Sequence, residues 1–437
     1  MLPNPAATSI NRIGGESMTA FLFARRAGKG VMAAVLWLSL ATGAQAETLS
    51  FARAQVLAQQ DAPENLARQA QLESAQFSVE PADALPDPQL ILGVDNVPVE
   101  GADRYSLNQD FMTMRRIGLM QEVPNSDKRK ARRSLAVATV GVAEAEQREM
   151  LLQTRRQTAL NWLNVYYAEH SVALFDQLDL QISLLRATVQ SLIAGGSASP
   201  TELLQADELA LTLEDRRDQL QRDVAVARAA LRRWIGAAAT EPLVGNPPVF
   251  QLSVPQLHQR LHEHPELNAA NARVGEANAA LAEAIAEKTP DWGVGFVYSN
   301  RAPQFGDMVS LQFTFDLPMF VGSRQGPTIK ARQQSVAQLE AEQEVLLREH
   351  AAELESGLAE LEQLHKALTR TEKSLIPLAS QRAELELAAY KAGNRQLSTV
   401  INSRTALIEA QLREIELKRQ VSELSANLYY AYVESLQ

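Results

Sequence analysis

The sequence predicts a mainly α-helical fold with a small β part, laid down twice. Two observations carry this expectation: the chain repeats itself at about half its length, and each half joins two short alternating strands to a very long heptad-patterned hairpin. The turn Ala194-Gly195-Gly196 recurs as Ala392-Gly393-Asn394, 198 residues later, and Leu203 then falls opposite Ile401. Pro86-Asp87 before the strands recurs as Pro290-Asp291, and Val123-Pro124 after them as Leu317-Pro318. Asp61-Ala62-Pro63-Glu64 echoes His264-Pro265-Glu266. A repeat of about 200 residues is too long for a solenoid unit, so it reads as a duplicated half. The first half is expected over residues 47–236, a connection rich in Ala, Gly and Pro over 237–253, and the second half over 254–437.

Residues 1–46 predict a cleaved export signal. Arg25, Arg26 and Lys29 supply a positive segment, Val31 to Leu40 a short apolar run, and Ala44-Gln45-Ala46 a small-x-small cleavage site before Glu47. Met18 offers a second start. The apolar run falls short of the ~20 residues a spanning helix requires, and no other stretch reaches that length. The exported chain is therefore expected either to be soluble or to cross a membrane by strands. Cleavage removes four of the 42 basic residues and one of the 52 acidic ones, and carries the formal charge from −10 to −13. An acidic chain without a basic stripe excludes nucleic acid as a partner. Cysteine is absent, which excludes disulfides, thiolate metal sites, cysteine nucleophiles and a lipid-bearing N-terminal cysteine.

Each half opens with a helical segment. In residues 47–80 Phe51, Ala54, Val56 and Leu57 are followed by Leu66, Ala70 and Leu72. The counterpart runs from Val254 to Lys288, and both end at prolines, Pro81 to Pro88 and Pro290. Two strands follow each break, expected near 90–97 and 114–123, then near 292–299 and 309–317. In the last of them Val309, Leu311, Phe313, Phe315 and Leu317 alternate with Ser310, Gln312, Thr314 and Asp316. That period of two belongs to a sheet with one apolar and one polar face. Trp292, Val294, Phe296 and Tyr298 share a side, opposite Gly293 and Gly295. Five of the 12 phenylalanines fall between Phe296 and Phe320, a concentration that suits the aromatic outer face of a membrane barrel. A half-buried sheet of a soluble domain is the alternative. Trp292, Phe296, Tyr298, Phe313 and Phe315 are the candidate lipid-facing residues.

The hairpins are expected over 126–234 and 326–436. Ser126 to Ala194 contains no proline, enough for a helix of about 100 Å at ~1.5 Å per residue. Phe175, Leu178, Ile182, Leu185, Val189 and Leu192 are spaced as a coiled-coil seam, and Leu347, Leu354, Leu361, Leu368 and Leu375 recur every seven. Pro377 predicts a kink or local unwinding.

Strands in a bilayer leave no open edge, because each unpaired backbone group there costs several kcal/mol. The predicted strands of one chain fall short of the roughly eight that close a barrel. Copies must therefore share one. Two copies give a barrel filled by side chains; three give about twelve strands and a lumen, with a helical tube of hairpins below. At this point a family resemblance enters. The layout resembles the TolC-type outer-membrane efflux channels along essentially the whole mature chain. The strand-to-helix stretch Gln121-Glu-Val-Pro-Asn-Ser-Asp-Lys-Arg-Lys-Ala-Arg132 and the tip Tyr390-Lys-Ala-Gly393 carry it. Asp110-Phe-Met-Thr-Met-Arg-Arg-Ile-Gly-Leu-Met-Gln-Glu-Val-Pro124 resembles the heavy-metal branch of that family, the CusC/CzcC type.

The resemblance implies a homotrimer, with a shared 12-stranded β-barrel in outer-membrane lipid and an α-barrel in the periplasm. Its partners would be a periplasmic adaptor protein and an inner-membrane RND-type pump, and its cargo heavy-metal cations. A drug-efflux or type I secretion duct is the alternative within the family. A periplasmic coiled-coil adaptor or a structural coiled coil is the alternative outside it. By the same resemblance the hairpin tips, Gly195, Gly196 and Ser197 with Gly393, Asn394 and Arg395, form a closed entrance and meet the adaptor. Ordinary turn chemistry explains the glycines equally well.

No nucleophile elbow, phosphate-cradling loop or HExxH is present, so neither catalysis nor a cofactor is expected. His258 and His262 are four apart, as two ligands on one helix face would be, but no third ligand is placed beside them, and His264 precedes a proline. Met112, Met114 and Met120 are soft enough for Cu(I) and serve as ordinary barrel filler as well. No metal site is assigned.

Overall fold

The structure is a computed structural model that describes residues 48–434. The export signal expected over 1–46 and the end of the hairpin expected at 436 lie outside the described residues. In chain order the elements are β1 (Leu49–Ser50), α1 (Phe51–Asp61), α2 (Pro63–Phe77), α3 (Val79–Ala82), β2 (Gln89–Asp95), β3 (Met114–Val123), α4 (Ser126–Ala194) and α5 (Pro200–Ile235). They continue with β4 (Leu243–Val244), α6 (Val254–Arg260), α7 (Pro265–Ala286), β5 (Trp292–Asn300), β6 (Met308–Phe315), α8 (Gln325–Arg370), α9 (Ile376–Lys391) and α10 (Leu397–Tyr432).

Local chemistry sets these boundaries. Ser50 and Asn125 cap α1 and α4 by accepting the amides of Arg53 and Lys128. Pro63 and Pro265 stand at the first turn of α2 and α7. Proline is tolerated there because the first amides of a helix have no intrahelical partner. This is the physical content of the echo between Asp61–Glu64 and His264–Glu266. The helical segment expected over 47–80 is three helices, and its Val56 and Leu66 face outward at 51% and 60% exposure. The stripe that packs is Ala54, Ala58 and Leu72.

α4 is one uninterrupted helix of 69 residues, about 100 Å long at ~1.5 Å per residue. It pairs with α5, and α8–α9 pair with α10. One core gathers Trp162, Leu163, Leu231, Trp234, Ala426 and Tyr430 with Leu49 of the small parallel pair β1–β4. A second, nearer the turns, joins Phe175, Leu178, Leu185 and Val189 to Tyr390, Leu397, Val400 and Ile408. The two hairpins therefore pack on each other along their length.

The heptad seam of α8 does not run through to Leu375, which is 42% exposed. A π-turn, Thr371–Leu375, lies between α8 and α9, and the amide of Ile376 donates to the carbonyl of Thr371. Pro377 is the cause: it has no amide, and its ring would strike the carbonyl four residues back. Widening the turn by one residue relieves both; the row His350, Gly357, Leu364 and Thr371 stays buried up to the turn, and the leucine row beside it ends there.

β2, β3, β5 and β6 form one antiparallel sheet in that order. β3 and β5, from the two halves, pair over nine residues, Arg115–Val123 with Trp292–Asn300. β6 ends at Phe315, so Leu317, expected as its last residue, lies beyond it.

Candidate functional site

The register of the sheet sorts its side chains into two unlike faces. Leu90, Leu119, Phe296 and Leu311 stand opposite one another in one row across the four strands, and Leu92, Ile117, Tyr298 and Val309 in the next. Val123, Trp292 and Phe315 form a row nearer the helices. Phe296 is 53% and Phe313 56% exposed in the single chain. The opposite face presents Gly118, Val297 and Ser310, then Met120, Gly295 and Gln312, then Glu122, Gly293 and Thr314. Arg116 and Asp95 pair on that face at 2.7 Å. All five candidate lipid-facing residues thus share one face, and among the described residues the outer edges of β2 and β6 have no strand partner. Met114 and Met120 lie on the polar face, while Met112 precedes β3 in the loop.

Where the sheet meets the helices, one carboxylate ties the halves together. Asp291 Oδ1 accepts the backbone amide of Asn125 at 2.8 Å and its side-chain amide at 3.1 Å, and Oδ2 accepts Lys128 Nζ at 2.9 Å. Asp291 is largely buried. Burial works against its charge, but the Asn125 amide and Lys128 outweigh it and hold the carboxyl below its ordinary value of 3.8. Asp291→Ala should cost about 1–3 kcal/mol, because it leaves these donors unpaired. A carboxyl with a depressed native pKa contributes stability above its unfolded value and loses it as the pH falls through the native one. The lead of the native protein over Asp291→Ala in urea midpoint should therefore hold at neutral pH and shrink as the pH drops below 3.8. A lead that is unchanged in acid would show that the carboxylate charge is not what matters.

The two hairpin tips are built alike. After α4 the amide of Gly196 donates to Ile193 O at 3.0 Å and that of Ser197 to Leu192 O at 2.8 Å. After α9, Gly393 donates to Tyr390 O and Asn394 to Ala389 O, both at 2.9 Å. These are helix-ending turns that need a left-handed residue. Gly196 (φ +71°) and Gly393 (φ +75°) supply it. The conformational partner of Gly393 is therefore Gly196 and not Gly195, whose φ is −82°. The sequence pairing was one residue out of step, since adjacent glycines look alike in sequence and only the sign of φ separates them. The six candidate tip residues are all exposed. Arg395 reaches back to Glu386 at 3.5 Å.

Just behind the tips Tyr390 Oη donates to Glu202 Oε2 at 2.5 Å, one hairpin to the other. Burial, then Glu202, drives the phenol pKa well up, so the hydroxyl stays a donor. An apolar gap of about 280 Å³ lies between the hairpins, lined by Leu178, Ile182, Leu185, Leu209, Leu387 and Leu407 among others.

The histidines gather differently from the sequence pattern. α6 ends at Arg260, so His258 and His262 do not share a regular helix face. The ring of His264, which caps α7, instead lies on that of His350 from α8, centroids 3.8 Å apart. His350 Nε2 is 3.1 Å from Glu266 Oε2. Burial first, then the neighbouring His350 and Arg156, lower the pKa of His264 to about 3. Nothing local in sequence marks this pair, since the partners are 86 residues apart.

No family model matches the chain. A curated relative, the pyoverdine export outer membrane protein OpmQ of Pseudomonas putida, is 24% identical over 265 residues, 57% of this chain and 54% of that protein. The match thus spans about half the relative's length. Among solved structures, the outer-membrane channel OprN superimposes with a TM-score of 0.73 at 14% identity, covering 87% of this chain and 89% of that one. The outer membrane protein VceC of Vibrio cholerae gives 0.71 at 18%, covering 89% and 97%. CusC, described in terms of transmembrane channel formation, gives 0.72 at 18%, covering 88% and 92%. VceC and CusC match at the same identity, so the heavy-metal branch is not singled out. The chain has the TolC-type channel fold shared by OprN, VceC and CusC.

Proposed function

We propose that the protein is the exit duct of a tripartite efflux system, a homotrimer whose sheets close one β-barrel in the outer membrane and whose hairpins form a tube in the periplasm. The observation that carries this reading is the four-stranded sheet, with one apolar exposed face and, among the described residues, two unpaired edges. In hydrocarbon each unpaired edge group costs several kcal/mol, and three copies joined edge to edge leave none. The face bearing Asp95, Arg116, Glu122, Gln312 and Thr314 then lines a wet lumen. No residue is assigned a catalytic role, and no bound cofactor enters the reading.

The tips, Gly195–Ser197 and Gly393–Arg395, form the periplasmic mouth in this reading and meet a periplasmic adaptor protein, which links the duct to an inner-membrane RND-type pump. Opening requires the two hairpins to separate near the tips, where the Tyr390–Glu202 bond holds them. A hydrogen bond to a charged acceptor contributes about 1.5–3 kcal/mol, and ~1.4 kcal/mol is a factor of ten in population. Purified protein in a planar bilayer should conduct as a trimer. Tyr390→Phe should raise its resting conductance at least about tenfold. Protein that stays a single subunit or never enters lipid would overturn the duct. Tyr390→Phe behaving as the parent would move the gate elsewhere.

Heavy-metal cations are the cargo favoured by the stretch Asp110–Pro124. An organic cargo is the second reading, favoured by the name of the relative OpmQ. Deleting the gene should sensitise cells to metal salts in the first case and leave metal tolerance unchanged in the second.

A further inference from the structure

Three elements that are distant in sequence converge at the junction of α7, α8 and the end of α10. His264 caps α7, Glu266 lies in its first turn, and His350 stands in the middle of α8. One ligand atom from each lies within 4.8 Å of the others. Both histidines are nine-tenths buried, at 7% and 6% exposure, whereas the Glu266 side chain is 47% exposed and reaches solvent.

We propose that His264, Glu266 and His350 form a binding site for one divalent transition-metal ion per chain, of the zinc type. The donor set is two imidazoles and a carboxylate, a combination suited to such ions. Bonds of ~2.1 Å in a tetrahedral site put neighbouring ligand atoms about 3.4 Å apart. His350 Nε2 and Glu266 Oε2 already stand at 3.1 Å, so only His264 has to close in. Its present partner is weak: Nδ1 accepts the Glu266 amide at a long 3.3 Å.

A second, independent observation concerns His350. Its Nδ1 is buried without a hydrogen-bond partner, and the nearest charged group is Glu353 at 3.4 Å. A buried ring nitrogen left in this state is costly. An ion drawing on this imidazole would fix its tautomer and turn that proton toward Glu353, the arrangement by which outer carboxylates orient metal-bound histidines.

The surroundings suit a cation. α4 presents Glu149 and Arg156, α7 Glu266, and α8 Glu353. Three carboxylates thus face Arg156, with Arg273 of α7 also acting on Glu149 and Glu266 and Arg68 on Glu149. Burial raises the pKa of Glu149, and the charge of Glu266 raises it further while Arg273 and Arg68 oppose the shift. Tyr432 of α10 closes the far side, its hydroxyl donating to the His350 carbonyl at 3.2 Å. A cleft of about 140 Å³, lined by Glu149, Gln153, Arg156 and Tyr430 beside His264 and Glu266, leads to the site. It leaves room for a water as fourth ligand. The site stands apart from the sheet and the tips, and does not depend on the duct reading.

The test uses purified full-length protein stripped with a chelator and titrated with Zn²⁺ by calorimetry and with Co²⁺ by visible absorption. One ion per chain, a tetrahedral-type Co²⁺ band, and a melting temperature that rises with Zn²⁺ are expected. His264→Asn, which keeps a capping side chain, and His350→Asn should each weaken binding by at least the about 10–100-fold that losing an outer-shell partner costs. The milder Glu266→Gln should also weaken it and should fold even where a histidine variant does not. A His258→Asn/His262→Asn double variant should bind as the parent does. Absence of saturable binding at micromolar Zn²⁺ would overturn the site. So would binding that Glu266→Gln and both histidine variants leave intact.

Discussion

Phe296→Arg should abolish assembly of the proposed outer-membrane trimer. Phe296 is the central residue of β5 and stands mid-row between Leu119 and Leu311 on the apolar face. An arginine facing lipid at the midplane of a barrel costs about 2–4 kcal/mol. Threefold symmetry repeats that cost, to about 6–12 kcal/mol per assembly, comparable with the ~5–15 kcal/mol that holds a domain folded. Gln312→Arg, one residue along β6 from Leu311 but on the other face, should assemble within ~0.5 kcal/mol of the parent, as exposed substitutions do. The readout is the amount of trimer in the outer-membrane fraction by unheated gel electrophoresis. Normal assembly of Phe296→Arg together with failure of Gln312→Arg would reverse the assignment of the two faces. Normal assembly of both would remove the lipid from the account.

Gly118→Val should be as damaging, for a different reason. Gly118 pairs with Val297 at the middle of the β3–β5 ladder, where the two halves meet. A Cβ there would lie 2.6 Å from the Phe296 carbonyl oxygen, 2.8 Å from Val297 Cγ2 and 3.0 Å from Val297 Cα. Two of these three atoms are backbone, which cannot swing aside as a side chain does. Forcing one extra methyl group into a packed site costs typically about 1–3 kcal/mol, and valine adds two more carbons. The loss of the central ladder should show as monomer that never becomes heat-modifiable. Gly275→Ala is the control: nothing lies within 4 Å of its added Cβ, and in a helix alanine gains about 1 kcal/mol over glycine. If Gly118→Val assembles and resists heat as the parent does, the strands of the two halves are not joined as described.

Much of this architecture is legible in the sequence because it rests on local periodicities. Alternation at Val309–Phe315 and the proline-free run from Ser126 to Ala194 each specify an element from its own residues. The sheet could be read as two-faced because parity within a strand needs no partner: Trp292, Phe296 and Tyr298 share one side of β5, and Phe313 and Phe315 one side of β6. What sequence left hidden depends on backbone sign or on distance along the chain. The equivalence of Gly196 with Gly393 is a matter of positive φ, which one glycine beside another does not reveal. The Asp291–Asn125–Lys128 cluster joins residues from opposite halves and the His264–His350 pair joins residues 86 positions apart within the second, and no spacing rule reaches across such intervals. Leu375 failed as a seam residue because the heptad count assumes an unbroken α-helix, and Pro377 broke that assumption at the π-turn Thr371–Leu375.

The π-turn ahead of Pro377 makes the duplicated halves mechanically unequal. α4 is a single stiff post from sheet to tip. Its counterpart is two rods, α8 and α9, meeting at a widened joint where the four residues between buried Thr371 and half-buried Ile376 are all exposed. π-bulges are where long helices kink, so the second leg carries a built-in place to bend that the first leg lacks.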